Sequence, residues 1–262
     1  QTGDSDTGHL SFANWSSANA GGEKNQTQIT TGLLPNYLTV SGKTRSNDLD
    51  VGFTISLNPG ASTSRSGYQG AQQENRQAFL TFGDASWGTI KVGKDLGVFG
   101  SDAILSDMTL LGVGSQGVVG AQGGTTTTLG RIGTGFIYTD WKAQVSYTSP
   151  NWNGFQATIG LMNPNQVGPS TFNDTPQTRY GVEGQLTYAW TGDVSGKVWT
   201  SFGSYKVRTD ISGDVRSYNI SAFDLGANLN AGNLGLTAYG FTGSGNGTAT
   251  LGYFGIDASG KK

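Results

Sequence analysis

Strict period-two alternation, sustained through segment after segment, limits what this chain can fold into more than any other feature. In Leu49–Leu57 the residues Leu49, Val51, Phe53, Ile55 and Leu57 fall on one side, and Asp50, Gly52, Thr54 and Ser56 fall on the other. That period belongs to a strand with one apolar face, because successive side chains of a strand point to opposite sides. The pattern returns in Phe136–Thr148, where Trp141, Ala143, Val145 and Tyr147 oppose Lys142, Gln144, Ser146 and Thr148. It returns again in Phe155–Met162, in Arg179–Trp190 (Tyr180, Val182, Leu186, Tyr188 and Trp190 against Glu183, Gln185 and Thr187) and in Tyr218–Asn230. Shorter or weaker alternating runs place further strands at His9–Asn14, Tyr37–Lys43, Arg76–Gly83, Gly88–Lys94, Gly196–Val207, Leu234–Thr242 and Thr248–Asp257. Roughly twelve strands result, most of them near the 9–11 residues that a tilted strand needs to cross a bilayer.

Two properties separate a membrane wall from a soluble sandwich. The connections alternate between short turns and long polar loops, as they do in outer-membrane barrels. The non-apolar face is wettable but almost uncharged, rich in Gln, Thr, Ser, Asn and Gly, while Tyr37, Trp87, Tyr147, Trp152, Tyr180, Trp190 and Tyr218 gather near strand ends like interfacial belts. The fold predicted is therefore all-β, an antiparallel transmembrane barrel in a single domain over residues 1–262. Its competitor is a soluble or surface-exposed β-sandwich that binds carbohydrate or acts as an adhesin, since alternating strands with terminal aromatics occur there too.

Composition removes several other classes. The chain has 43 glycines and only 13% charged residues, with 11% aromatics, which suits a turn-rich β protein and not a disordered one. A net charge of −2 gives no basic stripe for nucleic acid. Cysteine is absent, so disulfides, thiolate metal sites and cysteine nucleophiles are absent with it. No secretory leader pattern opens the chain, which reads as a mature or a cytosolic form. His9 is the only histidine, and it reads as an exposed strand-end residue, which leaves neither a histidine metal cluster nor a catalytic triad. Gly112–Gly117 matches G-x-G-x-x-G without the strand and helix that a dinucleotide site requires, and so reads as loop. Asp48 and Asp50 form a carboxylate pair without a partner motif, best read as lumen-facing or turn residues. The Asn-x-Ser/Thr sequons at Asn14, Asn25, Asn173, Asn219 and Asn246 are what an Asn- and Thr-rich chain yields by chance. No catalytic residues, metal ligands or cofactor are predicted.

The organising stretch is Asn75–Gly114. Arg76–Gly83 and Gly88–Lys94 flank the turn Asp84–Trp87 as a hairpin, and a long glycine-rich segment follows over residues 95–135. Only Ser101–Leu111 has helical periodicity, enough for one or two turns. A loop this long in a compact fold is functional more often than not, and here it is expected to fold inward and narrow a pore. Lys91 sits between Ile90 and Val92 and so faces the polar side; Lys43 and Arg45 continue the polar phase of their strand; Arg76 starts its strand at the loop end. Opposite them the loop offers Asp95, Asp102 and Asp107, and a transverse field between the two sets would sort ions.

Three motifs carry a family resemblance: Asn75-Arg76-Gln77-Ala78-Phe79-Leu80, then Trp87-Gly88-Thr89-Ile90-Lys91-Val92-Gly93-Lys94, and Tyr147-Thr148-Ser149-Pro150-Asn151-Trp152-Asn153-Gly154-Phe155. With them the chain resembles the Gram-negative general diffusion porins, the trimeric outer-membrane family with a constricting third loop. The resemblance implies passive passage of ions and small hydrophilic solutes, a homotrimer embedded in outer-membrane lipid, a pore-lining role for Arg76, Lys91 and Lys94, and a constriction role for Asp95, Asp102 and Asp107. Barrels of that family close with about sixteen strands, so the count of roughly twelve leads to the expectation that about four C-terminal strands are missing and that the strands present do not seal a cylinder.

Overall fold

The computed structural model describes residues 2–4, 25–27, 36–59, 73–108, 110, 136–164, 177–211 and 214–245. In chain order the elements are β1 (Thr2–Asp4), β2 (Asn25–Thr27), β3 (Leu38–Ser46), β4 (Leu49–Pro59), β5 (Gln73–Glu74), β6 (Ala78–Asp84), β7 (Gly88–Leu96), α1 (Ser101–Leu105), β8 (Trp141–Thr148), β9 (Phe155–Met162), β10 (Gly181–Trp190), β11 (Val194–Ile211), β12 (Asp214–Ala231) and β13 (Leu234–Ser244). β1 and β2 pair with each other. The rest form one antiparallel sheet in the order β13-β12-β11-β10-β9-β8-β7-β6-β4-β3, with β5 added to the end of β4. Each strand of this path pairs with its nearest long neighbour in sequence, which is the up-and-down meander that period-two segments joined by turns produce.

The ten strands of the path coincide with ten of the strands predicted, and the differences lie at their ends. The turn between the strands predicted at Tyr37–Lys43 and Leu49–Leu57 is Asn47–Asp48: both residues take positive φ (50° and 59°), which Asn and Asp tolerate and a two-residue hairpin turn needs. β11 and β12 run without an open loop between them, pairing down to Ile211↔Asp214. The sequence concealed this because the apolar phase fades past Ser204, so the outer part of both strands has polar residues on each side and reads as loop. The expected strands His9–Asn14 and Thr248–Asp257, the Gly112–Gly117 motif and most of the long segment lie outside the described residues. Among the described residues β3 and β13 form the two edges of the path and are not paired with one another.

One face of the sheet is apolar and open. Val51, Phe53, Val145, Ile159, Leu186, Leu225 and Leu229 are all exposed, Leu225 by 61%, with Leu49 and Val182 half-buried on the same face. This is the opposite of a sandwich, whose apolar residues would meet in a dry interior. The apolar core that does exist lies on the other face, where the segment after β7 packs against the wall. Val98 and Phe99 join Ile137, Met162, Tyr205, Val207, Ile220 and Ala222 in one cluster. Ala103 and Ile104 of α1 join Phe136 in a second, flanked by Leu96, Tyr138 and Tyr239. Close approach explains one glycine in particular. A side chain at Gly226 would enter the Trp199 ring, whose nearest atom would lie 2.1 Å from the added carbon.

Candidate functional site

The polar face acquires its chemistry from what the long segment does after leaving β7. Residues 97–100 carry four successive amides, and the wall receives all of them. Gly97 N–H donates to the Asp140 carbonyl at 2.9 Å. The Val98 and Phe99 amides both donate to Glu183 Oε2 of β10, at 2.6 and 2.8 Å. Gly100 N–H reaches Ser201 Oγ of β11 at 3.2 Å. Gly100 then takes φ 75°, a left-handed conformation that glycine adopts without steric cost, and starts α1.

Glu183 is fully buried, and its other oxygen accepts from Lys142 Nζ and from the Tyr205 hydroxyl. A carboxylate taken out of water is costly unless paired and hydrogen-bonded. Four donors converging on Glu183 meet that requirement and at the same time fasten the segment to the wall. Glu183 and Gln144 lie in the wettable, non-apolar phase of their strands. Both are buried because the segment covers them, and Gln144 Nε2 donates to the carbonyls of Asp95 and Leu96.

The cations and acids predicted to face each other across a gap are arranged differently. Lys91 does lie on the polar face, in direct contact with Asp95 of its own strand and near the Phe79 ring, while Gln77 Nε2 donates to Asp95 at 2.9 Å. Asp102, in the first turn of α1, is held by Lys197 Nζ of β11 at 2.5 Å and by Gln185 Nε2 at 3.1 Å. Sequence reasoning missed Lys197, although its place between Gly196 and Val198 puts it in the polar phase. Asp107 follows α1 and is half-buried, with its amide on the Ile104 carbonyl. Arg76 is buried, with its guanidinium 5.9 Å from the Tyr37 ring centre and 5.7 Å from that of Trp141, and donates to the Tyr37 hydroxyl. The aromatic rings at the loop ends of β3 and β8 flank it. Lys94 pairs with Ala143 in register and shares the face of Val92, so strand parity puts it on the apolar side, where Nζ donates to the Asn75 carbonyl at 2.8 Å. Lys43 and Arg45 are on the polar face as predicted. Arg45 bridges Asp50 at 2.7 Å and Asp84 at 2.6 Å beside the short turns, with Asp48 at 3.9 Å.

A sheet with an open apolar face, a wettable opposite face and a long segment fastened to the wettable side is the wall of an outer-membrane-type β-barrel. Residues 4–260 match the Gram-negative porin family, and the chain belongs to that family, whose place is the outer membrane. Among solved structures it is similar to the outer membrane channel DcaP of Acinetobacter baumannii, at 15% identity and a TM-score of 0.58, over 90% of this chain and 57% of that one. It is also similar to OmpF of Salmonella typhi, solved in complex with daunomycin, at 19% identity and a TM-score of 0.56, over 88% of this chain and 65% of that one. Identities this low speak for the fold, and the chain spans less than two thirds of the length of either protein. No curated protein matches it.

Proposed function

We propose that the protein forms a water-filled channel through which ions and small hydrophilic solutes diffuse passively, and that it assembles as a homotrimer. The observation that carries this reading is the segment Gly97–Leu105 lying against the polar face, with Asp102 meeting Lys197 of the opposite run of strands. Such a segment narrows the space that the wall encloses, and the charges it brings govern what passes there. Among the described residues the charges at that level include two close ion pairs, Lys91 with Asp95 and Lys197 with Asp102. The reading assigns no catalytic step and no cofactor; the gradient of the solute itself drives passage.

Reconstitution of the full-length protein into a planar bilayer tests it. Discrete conductance steps that scale with bulk salt are expected. Lys197 is 38% exposed and Asp102 13% at the side chain, so neutralising either partner leaves the other uncompensated in a poorly screened place. Asp102→Asn shifts the reversal potential in a salt gradient toward anion preference, and Lys197→Gln shifts it toward cations. Salt near 1 M shrinks both shifts, since the screening length falls to about 3 Å. Absence of conductance steps defeats the channel reading. Steps with reversal potentials untouched by either substitution would move the segment away from the permeation path.

A further inference from the structure

Peroxides react in proteins chiefly at sulfur, and sulfur is scarce in this chain. It has no cysteine and two methionines, Met108 and Met162. The fold gives the two thioethers opposite surroundings. Met162, the last residue of β9, is fully buried in the cluster that receives Phe99, with Ile137, Tyr205 and Ile220. Met108, shortly after α1, is 94% exposed, more than any other large apolar side chain among the described residues.

The exposure of Met108 follows from how its backbone is held. Ala103 and Ile104 bury one side of α1 together with Phe136, and Leu110 packs on the same cluster. Between them the chain makes two tight turns, in which Asp107 N–H donates to the Ile104 carbonyl at 3.2 Å and Leu110 N–H donates to the Asp107 carbonyl at 3.1 Å. Both ends of the stretch from Ile104 to Leu110 are thus drawn toward the wall, and its middle is turned away. Leu105, 69% exposed, precedes Met108 by three residues, the spacing of neighbours on one side of a helical turn. The two form an apolar pair on the side of the segment remote from the wall, facing the water that the wall encloses. Apolar groups at a narrow place in a pore raise the barrier to hydrated ions, because they favour drying.

The chemistry available at Met108 changes that polarity. A lone pair of its Sδ attacks one oxygen of hydrogen peroxide, the O–O bond breaks, and the other oxygen leaves as water. Sulfur is oxidised by two electrons to the sulfoxide and the peroxide is reduced by the same two. An apolar side chain becomes a polar one with a strong hydrogen-bond acceptor, and methionine sulfoxide reductases reverse the change. Hydrogen peroxide is itself a small hydrophilic solute of the kind the channel admits, so the reactant reaches Met108 through the lumen.

We propose that Met108 is a site of reversible oxidation by peroxides that enter the lumen, and that its sulfoxide eases the passage of ions past the segment. The effect on passage rests on the channel reading, whereas the modification rests on the exposure of Met108 alone. Full-length protein in detergent is treated with hydrogen peroxide and digested, and the two methionine peptides are followed by mass spectrometry. Met108 is expected to gain one oxygen at least about tenfold faster than Met162, since susceptibility follows exposure. In a planar bilayer the treated protein should show a raised unitary conductance, which methionine sulfoxide reductase returns to its starting value. Met108→Leu keeps an apolar side chain of similar volume and removes the sulfur, so it should conduct like the untreated protein and ignore peroxide. Met108→Gln, polar at the same place, should conduct more without any peroxide. Oxidation of Met162 as fast as Met108 overturns the modification site. A peroxide response retained in Met108→Leu, or an unchanged conductance in Met108→Gln, overturns its effect on passage. Untreated protein without conductance steps would fail the channel reading, and the peptide masses would still decide the site.

Discussion

Replacing Glu183 by glutamine changes one atom and removes the match between four donors and their acceptors. The carboxylate accepts from the Val98 and Phe99 amides on one oxygen and from Lys142 and Tyr205 on the other. Glutamine keeps one accepting edge and turns a donating edge toward whichever pair remains. Lys142, only 2% exposed, is then a buried ammonium without its counter-charge. Breaking a buried pair from one side costs ~3–5 kcal/mol, and orphaning buried amides costs ~1–3 kcal/mol. The damage is confined to the root of the segment, so local opening of residues 97–100 should become easier by about 3 kcal/mol, a factor of roughly 150 in the opening equilibrium. Amide hydrogen exchange at Val98 and Phe99 in the folded protein reads this directly, with strand amides of β9 as internal reference. The double variant Glu183→Gln, Lys142→Met removes both charges and should recover most of the protection, because an apolar side chain can replace a buried ion pair at little cost. Protection at Val98 and Phe99 within threefold of the original in Glu183→Gln would show that the apolar packing of Phe99 alone holds the segment, and that the hydrogen bonds are incidental.

Two further outcomes follow from the two faces of the wall. Leu225→Arg, near the middle of the outward face of β12, should cost ~2–4 kcal/mol in reversible unfolding from lipid vesicles; a cost below ~0.5 kcal/mol would mean that this face does not meet hydrocarbon. Gly226→Ala drives a methyl into the Trp199 ring and should destabilise by ~1–3 kcal/mol in the same assay, with a change in tryptophan emission that Ala227→Gly, one residue along and outside the contact, does not produce.

The wall was legible in the sequence and most of the site was not. Alternation fixed the faces of Leu49–Leu57, Trp141–Thr148, Phe155–Met162 and Arg179–Trp190, because parity is a local property that neighbouring residues record. The ends of β11 and β12 were missed because the alternation is a record of hydrocarbon, and these strands continue past it. The hairpin before the long segment and its short helical turn at Ser101–Leu105 were foreseen. The partners were not: Asp102 with Lys197, and Glu183 with Val98 and Phe99, are separated by 95, 85 and 84 residues, and nothing local encodes such pairs. The surroundings of Arg76 were hidden for a related reason. A cation opening a strand looked like a lining charge, and only the tertiary approach of Tyr37 and Trp141 shows that rings flank it.

The hydrogen bonds of residues 97–100 also carry a temporal meaning. β6, β7 and their turn can pair as soon as they exist, since hairpin contacts are close in sequence. The segment that follows has no such choice, because Glu183, Lys197 and Ser201, the side chains that hold it, are synthesised some 80–100 residues later. Until β10 and β11 join the sheet, the amides of residues 98–100 must be served by water or by a chaperone, and the pocket of Phe99 lacks Tyr205 and Val207. The segment is thus fixed later than the wall beside it, and an assembly intermediate that has formed only β3 to β8 would have that wall with the segment unfastened.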